Sequence, residues 1–261
     1  MCLVAFSWSP GSQWPLMLVA NRDEFRDRPT EPMHWWGDLE NPILAGRDLQ
    51  AGGTWFAINE QGRFALVTNI RPGYIGKSGL RSRGELPVSY LNSQKSISDF
   101  HADILPSIHE YSGFNLLLGD VSQAMNGGIE QLFWFSSDQP DGQRITPGIH
   151  VLSNDALNTP WPKVELARKQ MVNALPMLAR GEISPQVLTS IERSSRESLP
   201  QTGVPFEWES LLSAQTIQGV DYGTRSRCWL RVNSQKAIYL SEYQLGEDAK
   251  VVDVRNFNWK S

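Results

Sequence analysis

The chain is 261 residues long, 40% hydrophobic and 20% charged, enough apolar material for one domain spanning residues 1–261 with a full core. A formal net charge of −4 leaves no basic field to hold a phosphate backbone or an anionic bilayer, so nucleic acid is not an expected partner. The two cysteines, Cys2 and Cys228, make neither a disulfide framework nor a CxxC metal knuckle, which fits a reducing compartment such as the cytoplasm. No run approaches the roughly 20 apolar residues that span a bilayer. No Lys or Arg precedes Arg22, and Ser9-Pro10-Gly11 breaks the first apolar run, so neither an integral membrane segment nor a secretory signal is expected.

In chain order, the first third reads as β-structure. CLVAF (2–6) and PLMLVAN (15–21) flank a Pro-Gly turn, the pattern of a β-hairpin. Residues 22–50 are polar, contain His34-Trp35-Trp36 and show no sustained period, so a long loop or disorder is expected there, of the kind that usually carries function. TWFAIN (54–59) and RFALVTN (63–69) predict a second hairpin, with Gly62 supplying a positive φ in its link. Segment 84–111 holds two helix-length stretches, the second capped by Ser96 or Ser98 with Asp99 in its first turn.

Strands follow at 114–120, 131–136 and 150–154, separated by the turns Asn126-Gly127-Gly128, 138–142 and 146–148. Apolar residues at 164, 167, 171, 172 and 175 predict a helix, and ISPQVLTSIERS (183–194) a second short one. The tail returns to strands at 227–232, 236–245 and 253–259. With no βαβ alternation and no repeat, this order predicts an α+β protein with antiparallel sheets.

The chain lacks a GxSxG elbow, a GxxxxGKS/T phosphate loop, an HExxH helix and a GxGxxG turn. His34, His101, His109 and His150 are scattered without metal-ligand spacing, so no metal site is expected. Cys2 stands apart by position. Methionine is normally trimmed before a small second residue, and the α-amine so released has a pKa of about 7.7–8.0 against about 8.5 for the thiol. One residue would then hold a nucleophile and its base. The ordinary alternative is a small buried side chain opening a first strand. ANRDEF (20–25) ends the second strand of the hairpin, and antiparallel geometry brings that end beside Cys2. Arg22 there would depress the thiol pKa, and Asp23 would orient or protonate the amine.

MCLVAF, ANRDEF, GRDLQAGGTWFAIN (46–59), LVTN (66–69), SRGEL (82–86), YSGFNLLLGD (111–120), LSNDALNTPWPKV (152–164) and YGTRSR (222–227) together resemble the NRDE family, also called the transport and Golgi organization protein 2 family. The resemblance covers nearly the whole chain in order. It implies the N-terminal nucleophile hydrolase fold, a four-layer αββα sandwich of two antiparallel sheets between helices.

A weaker resemblance, to the choloylglycine hydrolase and penicillin V acylase family, bears on the site. By it Asn69 and Asn154 match the oxyanion-hole asparagines, and Arg225 and Arg227 compete for the late active-site arginine. That family spaces its arginine and carboxylate three residues apart, whereas here they adjoin, so Asp23 and Glu24 compete for the carboxylate. The roles implied are attack by Cys2, charge stabilisation by Arg22 and Arg225, an amine held by Asp23, and oxyanion donation by Asn69 and Asn154. Asn21, Glu24, Trp35, Trp36 and Arg227 are ligand-binding candidates. The bland alternatives are an Arg22–Asp23 structural ion pair, Asn69 capping a turn before Arg71-Pro72-Gly73, and Asn154 closing its strand.

Two functions compete. One is hydrolysis of an amide or thioester in a small acylated substrate, with no cofactor. The other, implied by the family, is non-catalytic haem trafficking through the same cleft, with client haemoproteins as partners. Cys2, His34 and His150 are candidate haem ligands by type alone.

Overall fold

Strand β1 (Cys2–Trp8) and strand β2 (Leu16–Phe25) form the expected N-terminal hairpin, in a computed structural model that describes residues 2–37, 41–71, 81–121, 132–183 and 186–261. Of Cys2 it describes the backbone, and the side chain lies outside what is described. The register pairs Cys2 with Arg22 and runs unbroken to Trp8 opposite Leu16. The second hairpin, β5 (Phe56–Asn59) and β6 (Arg63–Asn69), turns on Gly62 at φ +86°. That angle is one a side-chain-bearing residue adopts only with strain.

Residues 22–50 are not a loop. They carry the end of β2, then β3 (Thr30–Trp36) and β4 (Ile43–Asp48). The alternation is obscured because β3 is an edge strand whose register slips between Glu31 and His34, around Pro32. Proline and bulges are tolerated at such edges. Helices α1 (Glu85–Ser93) and α2 (Ile97–Ile104) fill the next segment, and Ser96 caps α2 by accepting from the Asp99 N–H. Strands β7 (Phe114–Asp120), β8 (Leu132–Ser136), a two-residue β9 (Gln143–Arg144) and β10 (Gly148–Leu152) come next. The Asn126-Gly127-Gly128 turn and the Pro72-Gly73 turn fall outside the described residues.

Helix α3 (Pro162–Ala179) buries Val164, Ala167, Met171, Ala174 and Leu178, while Val172 faces out. The short helix expected at 183–194 is absent from its described part, 186–194, which forms a turn and extended chain. Instead a seven-residue helix, α4 (Phe206–Leu212), follows, too short and too polar to announce itself by period. Strands β11 (Tyr222–Val232), β12 (Ala237–Leu245) and β13 (Val251–Lys260) complete the chain.

All strand pairings between these elements are antiparallel. They form a six-stranded sheet ordered β10-β1-β2-β11-β12-β13 and a seven-stranded sheet running from β3 to β9 in sequence order. Side-chain alternation gives each sheet two buried faces. Val4, Phe6, Leu18, Leu230 and Leu240 of the first sheet meet Phe56, Phe64, Leu117 and Trp134 of the second in the central core. Tyr90, Leu91 and Phe100 of α1 and α2 cover the outer face of the larger sheet. Val164, Ala167, Met171 and Leu178 of α3 cover Leu3, Ala5, Val19 and Trp229 of the smaller one. The result is the four-layer αββα sandwich of an α+β protein.

Glu242 helps join the two sheets. It is fully buried, and its Oε2 accepts the Met33 N–H at 2.7 Å across the sheet interface, while Arg255 Nη1 donates to the Met33 carbonyl at 3.2 Å. Burial, partly offset by the Met33 N–H and by Arg255 and Arg22, holds the Glu242 carboxyl above its ordinary range. An acid whose folded pKa is raised is favoured neutral in the fold, so its contribution to stability is full below the unfolded value and is lost as pH rises through the folded one. Glu242→Gln keeps an acceptor for Met33 and removes the titration. Urea unfolding from pH 4 to 8 is expected to show the wild type losing stability relative to Glu242→Gln as pH rises, and a constant difference would contradict this origin.

Candidate functional site

The site grows from the open end of the β1–β2 hairpin. Arg22 lies opposite Cys2 on one side and Ser226 of β11 on the other. Its guanidinium is buried, with Cζ 4.1 Å from the centre of the Trp55 ring, a cation–π contact that holds it in place. Asp23 is the next residue on β2 and is also buried. Its Oδ1 accepts from Thr224 Oγ1 at 2.6 Å, and its backbone carbonyl accepts from the Tyr222 hydroxyl at 3.0 Å. Burial pushes the Asp23 carboxyl up, against the pull of Thr224, Lys163 and Arg22 toward ionisation.

The β2–β11 ladder slips between Thr224 and Ser226, which leaves Arg225 as the extra residue of a bulge. Arg225 Nη1 donates to the carbonyls of Phe25 and Arg28 and to Thr30 Oγ1, so it clasps the turn from β2 to β3. Asn21 and Arg227 face elsewhere. Asn21 donates to the carbonyls of Leu188 and Gln215 at 2.9 and 2.8 Å and accepts from Arg227 Nε at 2.9 Å. Arg227 also donates to the Leu188 carbonyl and to Thr216, and burial brings its pKa down to about 10. This pair ties the small sheet to the 188–216 segment and lines neither cavity described below.

Asn69 ends β6, and the amide of Asn154, itself fully buried, donates to both Asn69 Oδ1 and the Asn69 carbonyl at 3.1 Å. The Arg71 N–H donates to the Asn154 carbonyl at 2.8 Å, which laces residues 69–71 to the end of β10. Asn154 thus holds Asn69 by its side-chain oxygen, and among the described residues the Asn69 Nδ2 has no acceptor.

Two cavities meet here. The first, about 540 Å³, is lined by Arg22, Asp23, Glu24, Trp55, Asn69, Arg81 and Arg83 among others. The second, about 640 Å³, is lined largely by apolar groups, including Ile70, Val204, Pro205, Trp208, Leu212 and Tyr222. Glu24, Phe25, Asn69 and Arg83 belong to both. Glu24 accepts from the Phe25 N–H at 2.8 Å and lies 4.0 Å from Arg28 Nε. Under the second cavity Arg71 and Glu209 form a buried ion pair at 2.7 Å, with Thr202 donating to the other carboxylate oxygen.

The structure thus brings together the end of β1, Arg22, Asp23, Glu24, Asn69 and Asn154. It leaves Trp35 and Trp36 outside both cavities. Trp35 stands edge-on to Trp259 at 5.3 Å, and Trp36 donates to the Ala45 carbonyl under Arg47. His34 and His150 line neither cavity, and no cluster of metal-binding side chains occurs among the described residues. No helix of the described residues is long and apolar enough to cross a membrane. Sequence reasoning missed Trp55, Arg83, Trp208 and Tyr222 as cleft residues, although the GGTW and SRGEL stretches pointed to the neighbourhood of the first two.

Gly53 and Gly84 explain why those stretches meet. A Cβ on Gly53 would lie 2.4 Å from the Gly84 carbonyl, and the Thr54 N–H donates to that carbonyl at 2.9 Å. Only glycine permits this approach, which brings the Trp55 and Arg83 stretches to one cavity.

A two-sheet αββα sandwich with its N-terminal strand ending against a buried arginine in a cleft defines the class of protein. The chain belongs to the Transport and Golgi organisation 2 family, whose model matches residues 1–247. It is 28% identical over 266 residues to the Transport and Golgi organization protein 2 homolog of Bos taurus, covering 95% of each chain. It is also 28% identical to the Homo sapiens homolog, over 93% of this chain and 92% of that one. Among solved structures, a variant of conjugated bile acid hydrolase from Clostridium perfringens aligns over 99% of this chain and 92% of its own, with a TM-score of 0.43 and 8% identity. That likeness is too distant to say anything about chemistry.

Gly53→Ala is expected to cost about 1–3 kcal/mol of stability, the range for overpacking a close contact. Chemical denaturation checks it, and an unchanged midpoint would mean the two loops are free to separate.

Proposed function

We propose that this protein is a cysteine hydrolase acting on an amide or thioester bond of a small amphipathic acyl compound, with Cys2 as the N-terminal nucleophile. The single observation that carries the reading is the β1–β2 register, which sets residue 2 directly across from buried Arg22 at a cavity that Asn69 also lines. Once Met1 is removed, the α-amine of Cys2 takes the thiol proton as sulfur adds to the acyl carbon. Arg22 favours the thiolate, and Asp23 holds the ammonium form of the amine. Negative charge gathers on the carbonyl oxygen, where the Asn69 Nδ2 donates, with Asn154 fixing that amide in position. The ammonium returns its proton to the departing amine or thiol. Water then adds to the Cys2 thioester, and the free acid leaves as the thiol is regenerated. Arg225, clasped on the β2–β3 turn, supports the position of this strand end.

The two joined cavities fit an amphipathic compound. Phe25, Trp208 and Tyr222 form a mutually edge-on aromatic group beside the larger cavity, suited to an apolar body. Arg22, Arg81 and Arg83 in the other suit an anionic end. The same division would accept a flat ring system carrying carboxylates, and this supports the second reading, that of a haem carrier using the cleft without catalysis.

Intact mass spectrometry separates the two. Hydrolysis predicts a chain lacking Met1 that gains one acyl group from a thioester probe, with no adduct in Cys2→Ala. Retained Met1, or equal labelling of Cys2→Ala, would rule out the nucleophile. With an identified substrate, Asn69→Ala is expected to lower kcat by about 10²–10³-fold with little change in fold.

A further inference from the structure

We propose that Lys163, in the first turn of α3, is a positioning residue of the site: its buried ammonium is the counter-charge that keeps the Asp23 carboxylate ionised near residue 2. The proposal deepens the hydrolase reading and rests on it. Lys163 is only 4% exposed, and none of the steps above uses it. A buried ammonium is stable only beside an opposing charge. Three acids are buried among the described residues, Asp23, Glu209 and Glu242. Glu242 bonds Met33 across the sheet interface, on the side of the small sheet away from α3. Glu209 is engaged by Arg71 at 2.7 Å and by the Thr202 N–H at 2.8 Å. That leaves Asp23.

The backbone brings the two groups to one place. Met17 and Val19 face α3, so by alternation Asn21 and Asp23 point to the same side. Helix α3 starts over that end of the strand: the Asn21 amide donates to the Gln215 carbonyl at 2.8 Å, and the Gln215 amide to the Lys163 carbonyl at 3.3 Å. The Lys163 ammonium donates to the Leu212 carbonyl at 3.0 Å, at the end of α4, and Arg71 Nη2 donates to the same carbonyl at 3.4 Å. Leu212 packs with Tyr222, whose hydroxyl donates to the Asp23 carbonyl. Lys163 and Asp23 thus share one buried compartment between α3, α4 and β11. The other cations around Asp23 are engaged elsewhere. Arg71 is paired with Glu209, Arg227 bonds Asn21, Thr216 and the Leu188 carbonyl, and Arg22 lies on the opposite face over Trp55. Burial pushes the Asp23 carboxyl up, and Lys163 pulls it back toward ionisation more strongly than adjacent Arg22 does.

Carbon-13 NMR of protein labelled in its aspartate carboxyls reads Asp23 directly, with Asp23→Asn assigning the signal. Lys163→Met is expected to move the Asp23 titration upward, and Lys163→Arg, which keeps the charge, to leave it near the wild-type position. In acylation of Cys2 by a thioester probe, the acid limb of the rate should move up with it, and Lys163→Met should return to the wild-type rate at high pH. A lysine that merely packs would lower the rate at every pH. If Lys163→Met does not fold, urea unfolding of the same change in an Asp23→Asn background takes its place, and removing the carboxylate should recover most of the lost stability. An Asp23 titration that Lys163→Met leaves unmoved, or stability losses that simply add, would overturn the proposal. Should the titration move while wild-type Cys2 stays unacylated at every pH, the hydrolase reading falls and the Lys163–Asp23 coupling stands.

Discussion

The unbroken antiparallel register of β1 on β2 is the constraint on which the rest of the site depends. It fixes residue 2 against Arg22, and the β2–β11 ladder then fixes Arg22 against Ser226. A slip of one residue would turn Arg22 to the other face of the sheet and put Asn21 or Asp23 in its place. The slip is opposed by the hydrophobic rows on each side of the hairpin, since Val4, Phe6, Leu16 and Leu18 are packed into the inter-sheet core and Leu3, Ala5, Met17 and Val19 under α3. Core packing thus sets where residue 2 and Arg22 lie at the strand end. The bulge at Arg225 lets β11 follow β2 past that point, and its guanidinium holds the departing chain.

The cleft carries its charges at a cost that hydrogen bonds and paired partners offset. Arg22 is covered by Trp55, Asp23 receives Thr224, and Arg71 and Glu209 neutralise one another beneath the apolar cavity. Buried ions left without such partners would destabilise the fold by several kcal/mol each. Each of these groups is also anchored to a different element. Arg71 reaches α4, Asn154 the end of β10, and Asn69 the end of β6, so the cleft is a junction of segments far apart in sequence. A junction of this type holds its donors rigidly, which is what preorganised oxyanion stabilisation requires.

Much of this was legible in the sequence because it was local. The two hairpins, the Ser96 cap and the face of α3 follow from turn residues, capping chemistry and period. Arg22, Asp23 and Asn69 were placed by hairpin geometry and family resemblance together. Where the sequence misled, a long-range contact decided the outcome. Strands β3 and β4 depend on pairing with each other and with β5, and on Glu242 and Arg255 holding Met33, none of which is visible in residues 22–50 themselves. Asn21 and Arg227 read as ligand contacts in the sequence, but they bond each other, Thr216 and the Leu188 and Gln215 carbonyls, partners far away in the chain. Trp35 and Trp36 stand out in the sequence by their polar setting, whereas Trp55 and Trp208 reach the cleft through sheet and helix packing that no local pattern records.

The proposed nucleophile, residue 2, would work in the field of Arg22, across from it in the ladder. This is tested most directly by the pH dependence of Cys2 alkylation in the wild type and in Arg22→Met, read by mass spectrometry. A thiolate inflection well below the ordinary value of about 8.5 is expected in the wild type, moving up toward it in the variant. An inflection near the ordinary value in both proteins would contradict it.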